Sequence, residues 1–351
     1  MPTFVVGTGR CGSTLISNML NLHPKIVSIS ELFSMITDLG TQIPQAFTEE
    51  KIDGKTFWNI LSGNYPIQNT MLRHGVAMSE VLYPCLANSR FSAQSGVPAL
   101  LQTTLPHLTE NHDELFDEVA AFLCSQPTAE IGSHYTTLFE WFRKRFHARV
   151  TVERSGGTLR LIHRLFNLFP EAKFVHIVRD GRDCAMSMQK HFGFRMVMLT
   201  FQLMEVLGIN PYHCDDRRNV DDLPDDLVPF LPESFDPQAF REYDVSPSLY
   251  GHYWSGEIIE GLKVLANIPA DQVLTIKYED LLCAPRHEVE RMLYFLDPEL
   301  VQQSTIEQLS SLINQSSHHW QDLPERERNA LNDACLPGFK ALAEHNINYV
   351  L

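Results

Sequence analysis

The residues with the clearest chemical potential come at the start of the chain. Gly7-Thr8-Gly9-Arg10-Cys11-Gly12-Ser13-Thr14 follows the short apolar run Phe4-Val5-Val6 and precedes Leu15, Ile16, Met19 and Leu20 at helical spacing. A glycine loop between a strand and a helix offers backbone N–H groups and the positive end of the helix dipole to an anion. Arg10 adds a permanent cation, and Ser13 and Thr14 add hydroxyl donors. A second set lies in Arg179-Asp180-Gly181-Arg182-Asp183, with Ser187 about two turns along the helix expected to follow. Arg179 falls at the C-terminal end of an apolar run, where open α/β sheets bind ligands. A guanidinium and a nearby hydroxyl can together grip a phosphate.

Three chemistries use such a loop. Gly7, Gly9 and Gly12 fit the dinucleotide fingerprint, with Glu31 about twenty residues on as the ribose-binding acid; this is the alternative of a nicotinamide-dependent oxidoreductase. Gly7 and Gly12 also have Walker A spacing, but Ser13 stands where the phosphate-binding lysine belongs. The third is sulfuryl transfer from 3′-phosphoadenosine 5′-phosphosulfate (PAPS). It needs a cation directly before a Ser/Gly/Thr turn, which Arg10 supplies, and a separate grip for a 3′-phosphate, which Arg179 and Ser187 supply. Neither of the other two chemistries requires that second grip. A catalytically silent nucleotide-binding protein would carry the same residues.

The elements that must hold these residues follow from periodicity. Phe4–Val6, Ile26–Ser30 and Lys173–Val178 read as buried strands, Thr151–Glu153 as a strand end, and Val273–Ile276 as a further strand. Helical patterns cover Ser13–Leu22, Leu115–Leu123, Thr137–Phe146, Thr158–Phe169, Gly181–His191 and Val289–Leu296. Strands alternating with helices predict an α/β fold, P-loop-like and three-layered, with a central parallel sheet. We expect one domain over 1–351. Its cofactor-binding core is formed by 1–31, 150–200 and 270–300, and a helical substrate region by 32–149. Residues 209–247 are Pro-rich and weakly periodic, and are expected to form a lid insert.

Taken together, these motifs resemble the PAPS-dependent sulfotransferase family, most of all the branch of tyrosylprotein sulfotransferases and related bacterial enzymes. The resemblance is carried by Gly9–Leu15, by Leu22-His23-Pro24 and Glu31, and by Glu153-Arg154-Ser155. It continues through Leu168–Phe174, the Arg-Asp-Gly-Arg-Asp segment, and Lys277-Tyr278-Glu279-Asp280-Leu281 followed by Pro285. It implies that Arg10 is the loop cation and that Cys11, Gly12, Ser13 and Thr14 form the 5′-phosphosulfate cradle. Arg179 and Ser187 would then hold the 3′-phosphate, with Tyr278 touching the nucleotide. Glu31 matches the general base. Arg154 falls where the tyrosylprotein branch has a lysine that steadies the sulfonate; it keeps the charge and changes the geometry. PAPS would be the co-substrate and 3′-phosphoadenosine 5′-phosphate (PAP) the product, with no metal required. His318-His319-Trp320 resembles a C-terminal loop near the cofactor.

Composition bounds the rest. The 351 residues carry a net charge of −15. Such acidity argues against nucleic acid or an anionic membrane as partner. The seven scattered cysteines form no CxxC pair, and no apolar run reaches membrane-span length, so the reading expects a reduced, cytoplasmic protein. Residues 209–247 hold ten Asp and Glu against three Arg. That excess predicts a lid favouring a small-molecule acceptor of cationic or polyhydroxylated kind.

Overall fold

The computed structural model describes residues 1–38, 40–313 and 319–349. Five parallel strands form one sheet in the order β2-β3-β1-β4-β5. They are β1 (Thr3–Val6), β2 (Ile26–Ser30), β3 (Val150–Arg154), β4 (Lys173–Val178) and β5 (Val273–Lys277). The central strands are apolar on both faces because helices cover both faces, as a parallel sheet requires. β1 is fully buried in the middle, in register with β3 (Val5 opposite Arg154) and β4 (Val6 opposite His176). Phe4 anchors the core, its ring 5.1 Å from Phe169 and 5.7 Å from Phe174.

The strand that follows the first helix is not the neighbour of β1. β3 lies between β1 and β2, pairing Val5 and Ser30 with the same Arg154. A run buried on both faces carries no alternation, so its position in the sheet is not encoded in its pattern.

Between residues 32 and 149 the described helices are joined by irregular backbone, longest at 74–98, and the longest helices are His112–Cys124 and Ile131–Arg145. The expected helix at 158–169 begins as a 3₁₀ turn, Thr158–Leu161, and continues as Ile162–Leu168. After β4, the helix Gly181–Gln189 packs against the helix Pro247–Leu265. The Trp254 ring fills the space where a β-carbon on Gly181 would stand.

Residues 209–247 are folded onto the helix Phe192–Leu207. Tyr212, Leu223, Leu227, Phe230 and Phe240 join Met196, Leu199 and Leu203 in a second hydrophobic core. These anchors sit between prolines and acids at irregular spacing, so they show no period although each is buried. The acids of this segment, such as Asp221, Asp225 and Glu242, are exposed.

Candidate active site

All five strands deliver a site residue at their C-terminal ends. After β1, Gly9, Arg10 and Gly12 adopt left-handed backbone (φ +79°, +54° and +96°). That conformation is cheap for the glycines and strained for Arg10. The Arg10 carbonyl is held by Arg179 Nη1 at 3.3 Å. At Gly12 a β-carbon would collide with the Tyr278 ring, which therefore packs directly on the loop. The helix Ser13–Asn21 that follows has no side-chain cap. Its first-turn N–H groups lack the partner that a capping side chain gives. Cys11 is buried beneath the loop, and burial raises its thiol pKa, so its side chain is a filler and not a nucleophile.

Arg10 Nε donates to Ser187 Oγ at 3.1 Å, and the Arg179 guanidinium lies 4.8 Å from the Tyr278 ring centroid. The structure thus gathers Arg10, Arg179 and Tyr278, from the ends of β1, β4 and β5, and Ser187, from the helix Gly181–Gln189, into one cluster. Arg182 stands apart from it: it is buried, paired with Asp180 at 2.6 Å, and stacked on Trp320 at 3.9 Å. His318 lies outside the described residues.

The ends of β2 and β3 form the second half of the site. Glu31 has φ +58°, and its N–H donates to the Arg154 carbonyl at 2.7 Å. Its carboxylate is ion-paired with Arg154 Nη1 and accepts the Gly156 N–H at 3.0 Å. Both side chains are buried, with Arg154 2% exposed and Glu31 7%. Arg154 Nε has no hydrogen-bond partner among the described residues. A buried donor left unpaired beside a cavity is a place for a ligand acceptor atom. Behind Arg154, Glu153 is wholly buried, and desolvation lifts its carboxyl to about 8 despite the Ser155 hydroxyl that donates to it at 2.5 Å.

A cavity of about 600 Å³ joins the two halves. Arg10, Ser13, Thr14, Glu31 and Arg154 line it, whereas Arg179, Ser187 and Tyr278 lie behind Arg10, outside its wall. Of the segment 209–247, only Asn210 lines it. His213 of the same segment hydrogen-bonds Thr41 at the rim.

Four features of the cavity have no counterpart among the sequence motifs. Glu80 accepts from Arg10 Nη1 at 2.6 Å and pairs with His191 Nε2 at 2.9 Å. Burial opposes its charge, but the His191 hydrogen bond and the charges of His191 and Arg10 outweigh burial and hold the carboxyl well below its ordinary range. Asp38 is ion-paired with Arg160. Glu257 Oε2 has no hydrogen-bond partner among the described residues, and burial raises this carboxyl to about 7. The helix Phe192–Leu207 supplies a long apolar wall. Glu80 lies seventy positions from Arg10, so no local spacing could have signalled it.

A parallel α/β sheet with a glycine loop after its central strand, and arginines at the C-terminal edge, defines a nucleotide-binding α/β fold. Residues 2–212 match the Sulfotransferase family, and the chain belongs to it. Similar solved structures include the sulfotransferase domain from the Curacin biosynthetic pathway (13% identity, 100% of this chain and 99% of that one, TM-score 0.47). They also include the sulfotransferase domain of the Synechococcus PCC 7002 olefin synthase (13%, 100% and 96%, 0.44). A third is a sulfotransferase from Alicyclobacillus acidocaldarius (16%, 100% and 97%, 0.42). Comparison with curated proteins finds no match.

Proposed function

We propose that this sulfotransferase moves a sulfuryl group from PAPS to a hydroxyl or amine of a small-molecule acceptor, with Glu31 as general base. The observation that carries the reading is the opening of the buried Glu31–Arg154 pair onto the same cavity as Arg10, Ser13 and Thr14. The residues fit a doubly phosphorylated donor. The uncapped helix start and Arg10 are placed for one anion, and Arg179, Ser187 and Tyr278 cluster behind them for another.

When bound, PAPS supplies a sulfuryl group on a phosphate leaving group. The acceptor oxygen forms a bond to sulfur as the sulfur–oxygen bond to the 5′-phosphate breaks. The electron pair of that bond passes to the phosphate oxygen, which Arg10 and the first-turn N–H groups stabilise. Glu31 takes the acceptor proton; each carboxylate oxygen keeps a second lone pair beyond its bond to Arg154 or Gly156. Arg154 holds that carboxylate in place and offers its free Nε–H to a sulfonate oxygen.

The nicotinamide alternative fits less well. A ribose-binding acid sits on a strand next to β1, whereas here β3 intervenes between β1 and the strand that ends at Glu31. Thermal unfolding with PAP, NAD or ATP tests the reading. Stabilisation by PAP alone, lost in Arg179→Ala, is the expected result. Stabilisation by NAD alone overturns it, and PAP binding with no transfer from PAPS to any acceptor identifies a silent nucleotide-binding protein.

A further inference from the structure

The helix Phe192–Leu207 is apolar on two sides. Met196, Leu199, Leu203 and Leu207 are buried in the second core. Phe194, Val197, Phe201 and Met204 form a second stripe with helical spacing, and all four line the cavity. A helix apolar all round is ordinarily covered all round. Here the second stripe faces the cavity, and its far end is open: Phe201 is 53% exposed and Met204 37%. Its near end is the reaction centre, because the Phe194 ring packs against Gly9 of the glycine loop. From Phe194 to Met204 the helix rises about 15 Å. Met35 and Met78 add apolar surface to the cavity wall.

The charged groups of the cavity are largely spent on one another. Glu31 is paired with Arg154, Glu80 with Arg10 and His191, and Asp38 with Arg160. Glu257 has no ion-pair partner among the described residues, and burial raises its carboxyl to about 7, so about half of it is neutral at neutral pH. An anionic acceptor body would therefore lose water here without gaining a counter-ion, and a cationic one would meet only the half-neutral Glu257 carboxyl, whereas an apolar body would cover exposed aromatic and thioether surface.

We infer that the acceptor is an uncharged alcohol with an elongated apolar body, its hydroxyl at Glu31 and its body along Phe194, Val197, Phe201 and Met204. The inference rests on the transferase reading above and narrows its substrate class; it departs from the cationic or polyhydroxylated acceptor that the acidic segment led us to expect.

The test measures transfer from labelled PAPS to ethanol, n-butanol, n-octanol, n-decanol, glucose and tyramine. In parallel it measures the thermal shift that each alcohol adds to the PAP complex. Along the alcohol series kcat/KM is expected to rise about fourfold per added methylene until the stripe is covered. n-Decanol stabilises the PAP complex and glucose does not. Phe201→Ser, at a half-exposed position, is expected to lower kcat/KM for n-decanol at least fivefold, and more than it lowers kcat/KM for n-butanol, whose chain is too short to reach the far end of the stripe. Faster transfer to glucose or tyramine than to n-decanol, or a flat chain-length series, overturns the acceptor assignment and leaves the transferase reading standing. No transfer to any acceptor, with no stabilisation by PAP, overturns both.

Discussion

Arg154 and Glu31 are joined twice, through guanidinium and carboxylate and through the Glu31 N–H to the Arg154 carbonyl at 2.7 Å. The pair ties the ends of β2 and β3 together and holds the proposed base where the cavity meets the glycine loop. Glu31→Gln is expected to lower kcat by about 10²–10⁴-fold, the usual contribution of a general base, and to change PAP affinity less than threefold. Steady-state kinetics and calorimetric titration check the two halves; normal turnover would assign the base elsewhere.

Breaking the same pair from the other side should show in stability. Arg154→Met leaves a buried carboxylate without its counter-ion, which costs about 3–5 kcal/mol. Adding Glu31→Gln to Arg154→Met should restore part of that loss, because the uncompensated charge is gone. Urea unfolding of the two single variants and the double variant measures the coupling; additive losses would show that the pair stores no interaction energy.

Glu80 competes with a bound phosphate for Arg10. Its carboxylate lies 2.6 Å from Arg10 Nη1 and so offsets the positive charge that Arg10 presents to an anionic ligand. Glu80→Ala is therefore expected to tighten PAP binding several-fold in calorimetric titration. Weaker binding would mean that Glu80 orients Arg10.

Gly12 is required by both its backbone and its neighbour. Gly12→Ala forces a side chain into left-handed backbone, at a cost of about 1–2 kcal/mol, and drives its methyl against the Tyr278 ring. The expected result is a folded protein by circular dichroism whose thermal stabilisation by PAP is lost. A variant that PAP stabilises as it does the parent would refute the packing of Tyr278 on the loop.

Glu153 makes stability depend on pH in a defined direction. Its carboxyl is raised to about 8 in the fold, against 4.5 for the unconstrained group. Between these values the folded state holds a proton that the unfolded state has released, so stability falls as pH rises from 4.5 to 8 and is lowest above 8. Glu153→Gln removes this dependence. Its stability relative to the parent should climb across that window, by a few kcal/mol in all. Denaturant unfolding at pH 5, 7 and 8.5 reads it, and a constant difference would contradict the buried, protonated state.

The strands were legible because a parallel sheet covered on both faces leaves unbroken apolar runs. That the glycine loop, Arg179 and Ser187 come together at the strand ends was legible because each has a fixed spacing between strand end and helix. The order of the strands was not legible, since Thr151–Glu153 carries no mark that it inserts between β1 and β2. Glu80 and the Asp38–Arg160 pair were missed for a related reason: they meet the site through tertiary packing of the helical region. The acidic segment bears on the acceptor only through a charge that faces solvent. Its charge is a property of the solvent face, while its buried side, Tyr212, Phe230 and Phe240, builds the second core behind the cavity wall.

The most direct measurement is the fate of a labelled sulfuryl group when the protein meets labelled PAPS and a panel of alcohols. The label should move to an alcohol while PAP accumulates in equal amount, and Glu31→Gln should slow the movement about 10²–10⁴-fold while PAP still binds. Binding of NAD with no label moved from PAPS would contradict the account.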